Sequence, residues 1–251
     1  MTEIKTITSR TNETVKLVAQ LHSSKGREEQ KQFIAEGART CQSLVENGME
    51  LVQMYVTNEE FATVKEFTKN YYITIVDAHV MEKMSAAKSP SGILGVFKIP
   101  GQPSLANIDS GLVLAQVSDP GNVGSLIRTC AALKIKSIIA VDSADLWSPK
   151  VVQASAGALA QVQIYTPSWP VLLKWKKDIK LCALVVKGGK APSEIDFSKT
   201  LLVVGNEANG IPKDWLRDMD SYLTLPMPGN TESLNAAVAG SIALYLAFAK
   251  Q

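Results

Sequence analysis

From Leu112 onward the chain repeats one pattern. Short apolar runs, "LVLAQV", "SIIAV", "VQIY", "CALVV" and "LLVV", are separated by stretches long enough for helices. A strand that is apolar on both faces has no side to show to water, so such runs belong in a parallel sheet covered by helices on each side. That predicts an α/β fold for the second half of the chain. Open sheets of this kind bind ligands at the carboxyl ends of their strands, where the loops gather. Function is therefore to be sought in the loops that follow these runs.

The first hundred residues alternate more loosely. "ETVKLVAQLH" and "ARTCQSLVENG", closing on Gly48, have helical spacing, as do a polar stretch near 59–69 and "DAHVMEKMSA". Between them "QFIAEG", "LVQMYV", "YITIV" and "GILGVFKI" read as strands. The segment "PGQPSLANIDSG" concentrates Pro, Gly, Asn, Asp and Ser with little apolar content, which marks an interdomain linker. The expected organisation is a small α/β domain over 1–99, a linker over 100–110 and a larger α/β domain over 111–251.

With 251 residues, 46% of them hydrophobic and 20% charged, the chain can bury a real core. A net charge of +2 does not by itself announce a nucleic-acid partner. The N-terminal "MTEIKTITSR" has no apolar leader pattern, and "SIALYLAFA" is too short to span a bilayer. The expectation is a soluble, cytoplasmic protein. Cys41, Cys130 and Cys182 are odd in number and widely spaced, with only His22 and His79 beside them in the sequence. That argues against disulfides, a zinc site and a Cys/His nucleophile.

Three loops stand out: "SDPGNVGSLIRT" after "LVLAQV", "GNEANGIP" after "LLVV", and "LPMPGNTESLNAAVAG" after "SYLTL". If the sheet is correct they cluster in space. In the first, Pro120 and Gly121 make a turn and Asn122 stands where a helix N-cap is wanted. Arg128 interrupts an otherwise apolar helix without the polar company of a solvated arginine. In the second, the GxxxxG spacing of "GNEANG" is followed by Ile211 and Pro212 where a phosphate loop needs Lys and Ser/Thr. Glu207 there is either a turn residue or a site residue, and Gly205 implies a close backbone approach. In the third, Thr231 or Ser233 can cap the last helix, with Asn235 in its first turn. A rigid proline-rich loop beside backbone donors also suits a purine and a carboxylate. No GxGxxG opens any helix, so a dinucleotide site is disfavoured.

Taken together, "DPGNVGSLIRT", "LLVVGNEANGIP" and "LTLPMPGNTESLNAAVA" resemble the three signature motifs of the SpoU-type (TrmH-like) RNA 2′-O-ribose methyltransferases of the SPOUT superfamily, in the same order and spacing. The first half, through "SRTNETVKLVAQLHSSKGREEQKQFIAEGART", resembles the small α/β/α RNA-binding domain often attached to them. The resemblance implies S-adenosylmethionine as cofactor, a deep trefoil knot, and a homodimer with its active site at the subunit interface. It also implies that Gly205, Leu225, Met227 and Leu234 lie at the cofactor, and that Asn122, Arg128, Glu207, Ser233 and Asn235 are the polar positions of the site. Pro228 is an addition to the family pattern, expected to stiffen the third loop.

The implied reaction is attack of a ribose 2′-hydroxyl on a sulfonium methyl, most often in ribosomal RNA, with transfer RNA as the alternative substrate and a non-catalytic RNA- or ribosome-binding module as the alternative role. The hydroxyl's proton must leave, so the site needs a base or a stabiliser of the developing oxyanion. A guanidinium surrenders its proton only at great cost. Arg128 is therefore expected to clamp the alkoxide and a phosphate electrostatically, with Asn122 and Glu207 orienting it or its turn. Lys16, Lys25, Arg27, Lys31 and Arg39 are candidate phosphate contacts in the first domain, although a solvated mixed-charge helix face explains them equally well. Lys88 shares that ambiguity. The C-terminal helix, apolar nearly all round, must be buried on most sides, within one subunit or in a dimer.

Overall fold

The computed structural model describes residues 5–68, 73–229 and 232–249. The chain forms two compact units, one of Met1–Gly101 with Asp145–Ala160, the other of Gln102–Ala144 with Gln161–Gln251.

The first unit runs β1 (Lys5–Ile7), α1 (Glu13–Gln20), α2 (Ser24–Gln30), β2 (Gln32–Glu36), α3 (Ala38–Glu46), β3 (Leu51–Val56), α4 (Phe61–Val64), β4 (Ile73–Val76), α5 (Ala78–Met84) and β5 (Ile93–Lys98). Its strands are ordered β1-β4-β3-β5-β2, parallel at β1-β4-β3 and antiparallel where β5 meets β3 and β2. Asn12 caps α1, its side chain accepting from Thr14 N at 2.9 Å. Val15, Val18 and Leu21 pack with Val80, Met81 and Met84 of the α5 region over Ile34, Leu94 and Val96 of the sheet. The helix expected near 59–69 shrinks to the single turn of α4, and its last residue lies outside the described residues, as does Tyr72 of "YITIV".

The segment Asp145–Ala160, including α7 (Pro149–Ser155), follows a strand of the second unit in sequence yet packs with the first. Trp147 lies on Phe33 with ring centroids 4.9 Å apart. Arg27 Nε donates to Asp145 Oδ2 at 3.0 Å, and a second guanidinium nitrogen donates to Leu21 O at 2.6 Å.

The second unit contributes β6 (Gly111–Ala115), α6 (Pro120–Ala132), β7 (Ser137–Val141), β8 (Gln163–Tyr165), α8 (Trp169–Trp175), β9 (Lys180–Leu184), β10 (Thr200–Gly205), α9 (Lys213–Leu216), β11 (Ser221–Leu223) and α10 (Ala236–Phe248). The strands are all parallel, ordered β11-β9-β10-β6-β7-β8, and β6 and β7 are buried at every position. On one face Val113, Ile139, Leu181 and Val203 pack with Trp169, Leu172 and Ile211. On the other, α10 crosses α6 so closely that a Cβ on Gly240 would stand 2.6 Å from Leu126 and 3.2 Å from Val204. Leu105 and Ile108, inside the expected linker, belong to the core of this unit.

Among the described residues no helix is long and apolar enough to cross a membrane. Helix α10 is less buried within the chain than its composition implies. Val238, Ile242, Tyr245 and Leu246 are exposed, and Tyr245 keeps 62% of its surface.

Candidate active site

The three loops meet in the second unit around one carboxylate. Glu207, two residues past β10, accepts from Ser118 N at 3.1 Å, Ser118 Oγ at 2.9 Å, Asp119 N at 3.1 Å and Asn122 Nδ2 at 2.9 Å. Desolvation opposes its ionisation, but the hydrogen bonds from Asn122 and from the Ser118 and Asp119 backbone outweigh it and hold the carboxyl at about 2. Glu207 is thus a fixed anion and not a proton acceptor at neutral pH.

The network continues. Asn122 Oδ1 accepts from Asn235 Nδ2 at 3.0 Å, and Asn235 Oδ1 accepts from Ala237 N and Val238 N at 2.9 and 3.2 Å. Each amide can serve both neighbours in one orientation only: NH₂ towards Glu207, carbonyl towards Asn235, then carbonyl onto the helix. The first loop, the second loop and the start of α10 are joined by this single relay.

Two sequence expectations change here. The N-cap of α6 is Asp119, whose side chain accepts from Asn122 N at 2.8 Å, with Pro120 in the first turn. Asn122 lies inside the helix and is buried, its amide committed to the relay. Asn235 is itself the N-cap of α10, not a first-turn residue. Ser233 does not cap that helix, and Thr231 lies outside the described residues.

Beside the relay, at the carboxyl ends of β9 and β10, a cavity of about 260 Å³ opens between Leu184, Val186, Leu225, Met227 and Leu234. Gly205, Glu207 and Ser233 complete its rim. All four residues expected at the cofactor line it. At Gly205 the close approach is internal: a Cβ there would stand 2.4 Å from Gly210 C and Ile211 N. The loop closes through reciprocal backbone bonds between Asn206 and Gly210, the latter at φ +65°.

Arg128 stands apart from both features. It is exposed on α6, does not line the cavity, and has no ion-pair or hydrogen-bond partner among the described residues.

Sequence reasoning missed Asn206 and Ser118. Asn206 Nδ2 donates to Gln116 O at 2.9 Å, while its Oδ1 accepts from Ala208 N and Asn209 N, forming an Asx turn. An Asn at the entrance of a glycine-closed loop was the available signal. The cysteines are free and buried, and burial pushes the Cys41 thiol up to about 12 and raises those of Cys130 and Cys182. None offers a thiolate at neutral pH. Among the described residues no group of three or more His, Cys, Asp or Glu could hold a metal ion.

Residues 110–245 match the model of the SpoU rRNA Methylase family. The chain belongs to that family. Residues 12–95 match an MRM3-like substrate binding domain. An uncharacterised tRNA/rRNA methyltransferase of Synechocystis is 30% identical over 99% of this chain and 95% of its own length. The 23S rRNA (guanosine(2553)-2′-O)-methyltransferase RlmP of Bacillus subtilis is 27% identical over 96% of this chain and 98% of its own. The crystal structure of an AdoMet-bound rRNA methyltransferase from Sinorhizobium meliloti, 26% identical, matches with a TM-score of 0.86 over 97% of each chain. The SpoU match covers the relay and the cavity together, so this SpoU chain is a methyltransferase.

In the first unit Lys16, Lys25, Lys31 and Arg39 are exposed. Arg27 is not: its side chain is 5% exposed and spent on Asp145 and Leu21 O. It holds the fold of that unit and presents no charge to RNA.

Proposed function

We propose that this SpoU methyltransferase transfers a methyl group from S-adenosylmethionine to a ribose 2′-hydroxyl of ribosomal RNA. The observation that carries the reading is one cavity with apolar walls and Glu207 in its lining, formed by the second and third loops with the end of β9, while the relay ties the first loop to it. Such a pocket fits a ligand that is at once heteroaromatic and cationic. Leu225, Met227 and Leu234 offer the apolar walls, Gly205 adds its backbone to the lining, and the Glu207 anion favours positive charge nearby. Bound there, S-adenosylmethionine supplies an electrophilic methyl on a positively charged sulfur.

The chain's own residues do the rest. The Glu207–Asn122–Asn235 relay is a positioning device that locks the loops before substrate arrives, so no reorganisation is required at the moment of reaction. In this reading Ser233, in the cavity lining, contacts the cofactor or the target nucleotide. Arg128 stabilises the alkoxide and an adjacent phosphate as the 2′-hydroxyl proton passes to the RNA phosphate or water. Because Arg128 lies outside its own subunit's cavity, it serves the site of a second copy in a homodimer built on the exposed apolar face of α10. The trefoil knot belongs to the same reading, as does a cytoplasmic location beside the ribosome. The first unit holds the RNA through Lys16, Lys25, Lys31 and Arg39.

The test is transfer of tritiated methyl from S-adenosylmethionine to ribosomal RNA from cells lacking the protein. The expected product is one alkali-resistant dinucleotide, the signature of a 2′-O-methyl. Label that alkali converts to mononucleotides would mean base methylation and would refute the reading.

A further inference from the structure

The segment leaving β9, "VVKGGK", is not part of the three loops, yet Val185 and Val186 line the cavity. It is fastened at both ends to the strand beyond. Val185 N donates to Leu223 O at 2.9 Å, Lys190 N to Tyr222 O at 2.8 Å, and Thr224 N to Lys190 O at 2.9 Å. The Thr224 hydroxyl spans the turn, donating to Val185 O at 3.2 Å and accepting from Gly189 N at 2.9 Å. Gly188 takes φ +83°, and a Cβ on Gly189 would meet Leu223 C at 2.7 Å. The loop is therefore a rigid, tightly seated turn and not a slack connection.

Lys187 in the turn and Lys190 at its fastened end are both exposed, and their ammonium groups have no ion-pair or hydrogen-bond partner among the described residues. On the same unit Lys176, Lys180 and Lys199 are paired with Asp220, Asp196 and Asp178, while Lys134, Lys136, Lys174, Lys177 and Lys213 also lack a side-chain partner among the described residues but belong to no segment that lines the cavity. The nearest carboxylate in sequence, Glu194, is turned to Ala191 N at 2.8 Å. The turn follows directly on the cavity-wall residues Val185 and Val186, so it sets two unneutralised ammonium groups next in the chain to the cavity wall without lining it.

We propose that Lys187 and Lys190 bind phosphates of the RNA strand flanking the target ribose, and that Thr224 is the positioning residue that holds them there. This rests on the RNA-methylating reading above. Phosphodiester anions are attracted to such a pair, and each phosphate neutralised releases counterions, so the contact has a salt signature that a structural role lacks.

The experiment compares the wild type with the Lys187→Ala/Lys190→Ala double variant on in vitro transcribed 23S rRNA, with cofactor affinity measured by calorimetry. The expected result is a raised KM for RNA with kcat and cofactor Kd unchanged. The slope of log KM against log salt should flatten by about 1.4, for two contacts on a single strand. Thr224→Val should raise KM in the same way, and Thr224→Ser should restore it. An unchanged RNA KM and salt slope would overturn the proposal. A weakened cofactor Kd with unchanged RNA KM would also overturn it, assigning the lysines to the cofactor's carboxylate. If the wild type methylates no RNA, the failure belongs to the functional reading.

Discussion

At the scale of single residues, Glu207 decides how the site depends on pH. Its carboxyl falls from the ordinary 4.5 to about 2 in the fold. A depressed carboxylate stabilises the fold fully above its unfolded value and loses that contribution as pH falls through the folded one. The Glu207 contribution is thus flat from neutral pH to about 4.5 and is lost between about 4.5 and 2. Glu207→Gln should melt below the wild type at pH 7 and converge with it near pH 2. Thermal melts of both proteins across that range check this, and a gap that stays constant contradicts it. Asn122→Ala removes the central link, one hydrogen bond to Glu207 and one from Asn235, and should cost about 0.5–1.5 kcal/mol per bond in urea denaturation. The sequence singled out both residues and allowed Glu207 its work on the turn, but it misread Asn122 as the cap of α6. Asp119 and Asn122 are equally good caps by composition, and Pro120 at the first helical position was the cue that favours Asp119.

At the scale of elements, the glycines of the second loop and last helix carry the tightest constraints. Gly205→Ala places a methyl against the backbone of Gly210 and Ile211, which cannot step aside as a flexible side chain would. The loop must reshape, and cofactor affinity by calorimetry should fall at least about tenfold while the far-ultraviolet circular dichroism is retained. Gly240→Val overpacks α10 against Leu126 and should cost about 1–3 kcal/mol in chemical denaturation. The strands of the second sheet were legible because all-apolar runs have one stable home, between two layers of helices. The weak elements were not. Helix α4 comes from a polar stretch with little apolar periodicity, and nothing local separates one turn from three. For α10, an all-round apolar surface cannot tell a face buried in its own subunit from one left open, because hydropathy records the need for cover and not its source.

At the scale of the whole molecule, two features lay beyond any reading of local pattern. Asp145–Ala160 joins the first unit because Asp145 meets Arg27 and Trp147 meets Phe33 across more than a hundred residues, a pairing that no periodicity reveals. Arg27→Met strips the partner from Asp145 and should cost roughly 2–4 kcal/mol of the first unit's stability, read by denaturation, without changing the salt dependence of RNA binding. The second feature is that Arg128 does not line the cavity of its own chain. If the active site is shared between two copies, mixing Arg128→Ala subunits with Gly205→Val subunits should regenerate one working site per mixed dimer from two inactive parents. Activity that stays absent after mixing would place Arg128 in its own subunit's site. The most direct measurement pairs calorimetry of S-adenosylmethionine binding with tritiated-methyl transfer to ribosomal RNA for Arg128→Ala. The cofactor Kd should hold while transfer falls by at least about a hundredfold, the scale of losing one charge-stabilising donor. Turnover near that of the wild type would contradict Arg128 as the stabiliser of the reacting oxygen.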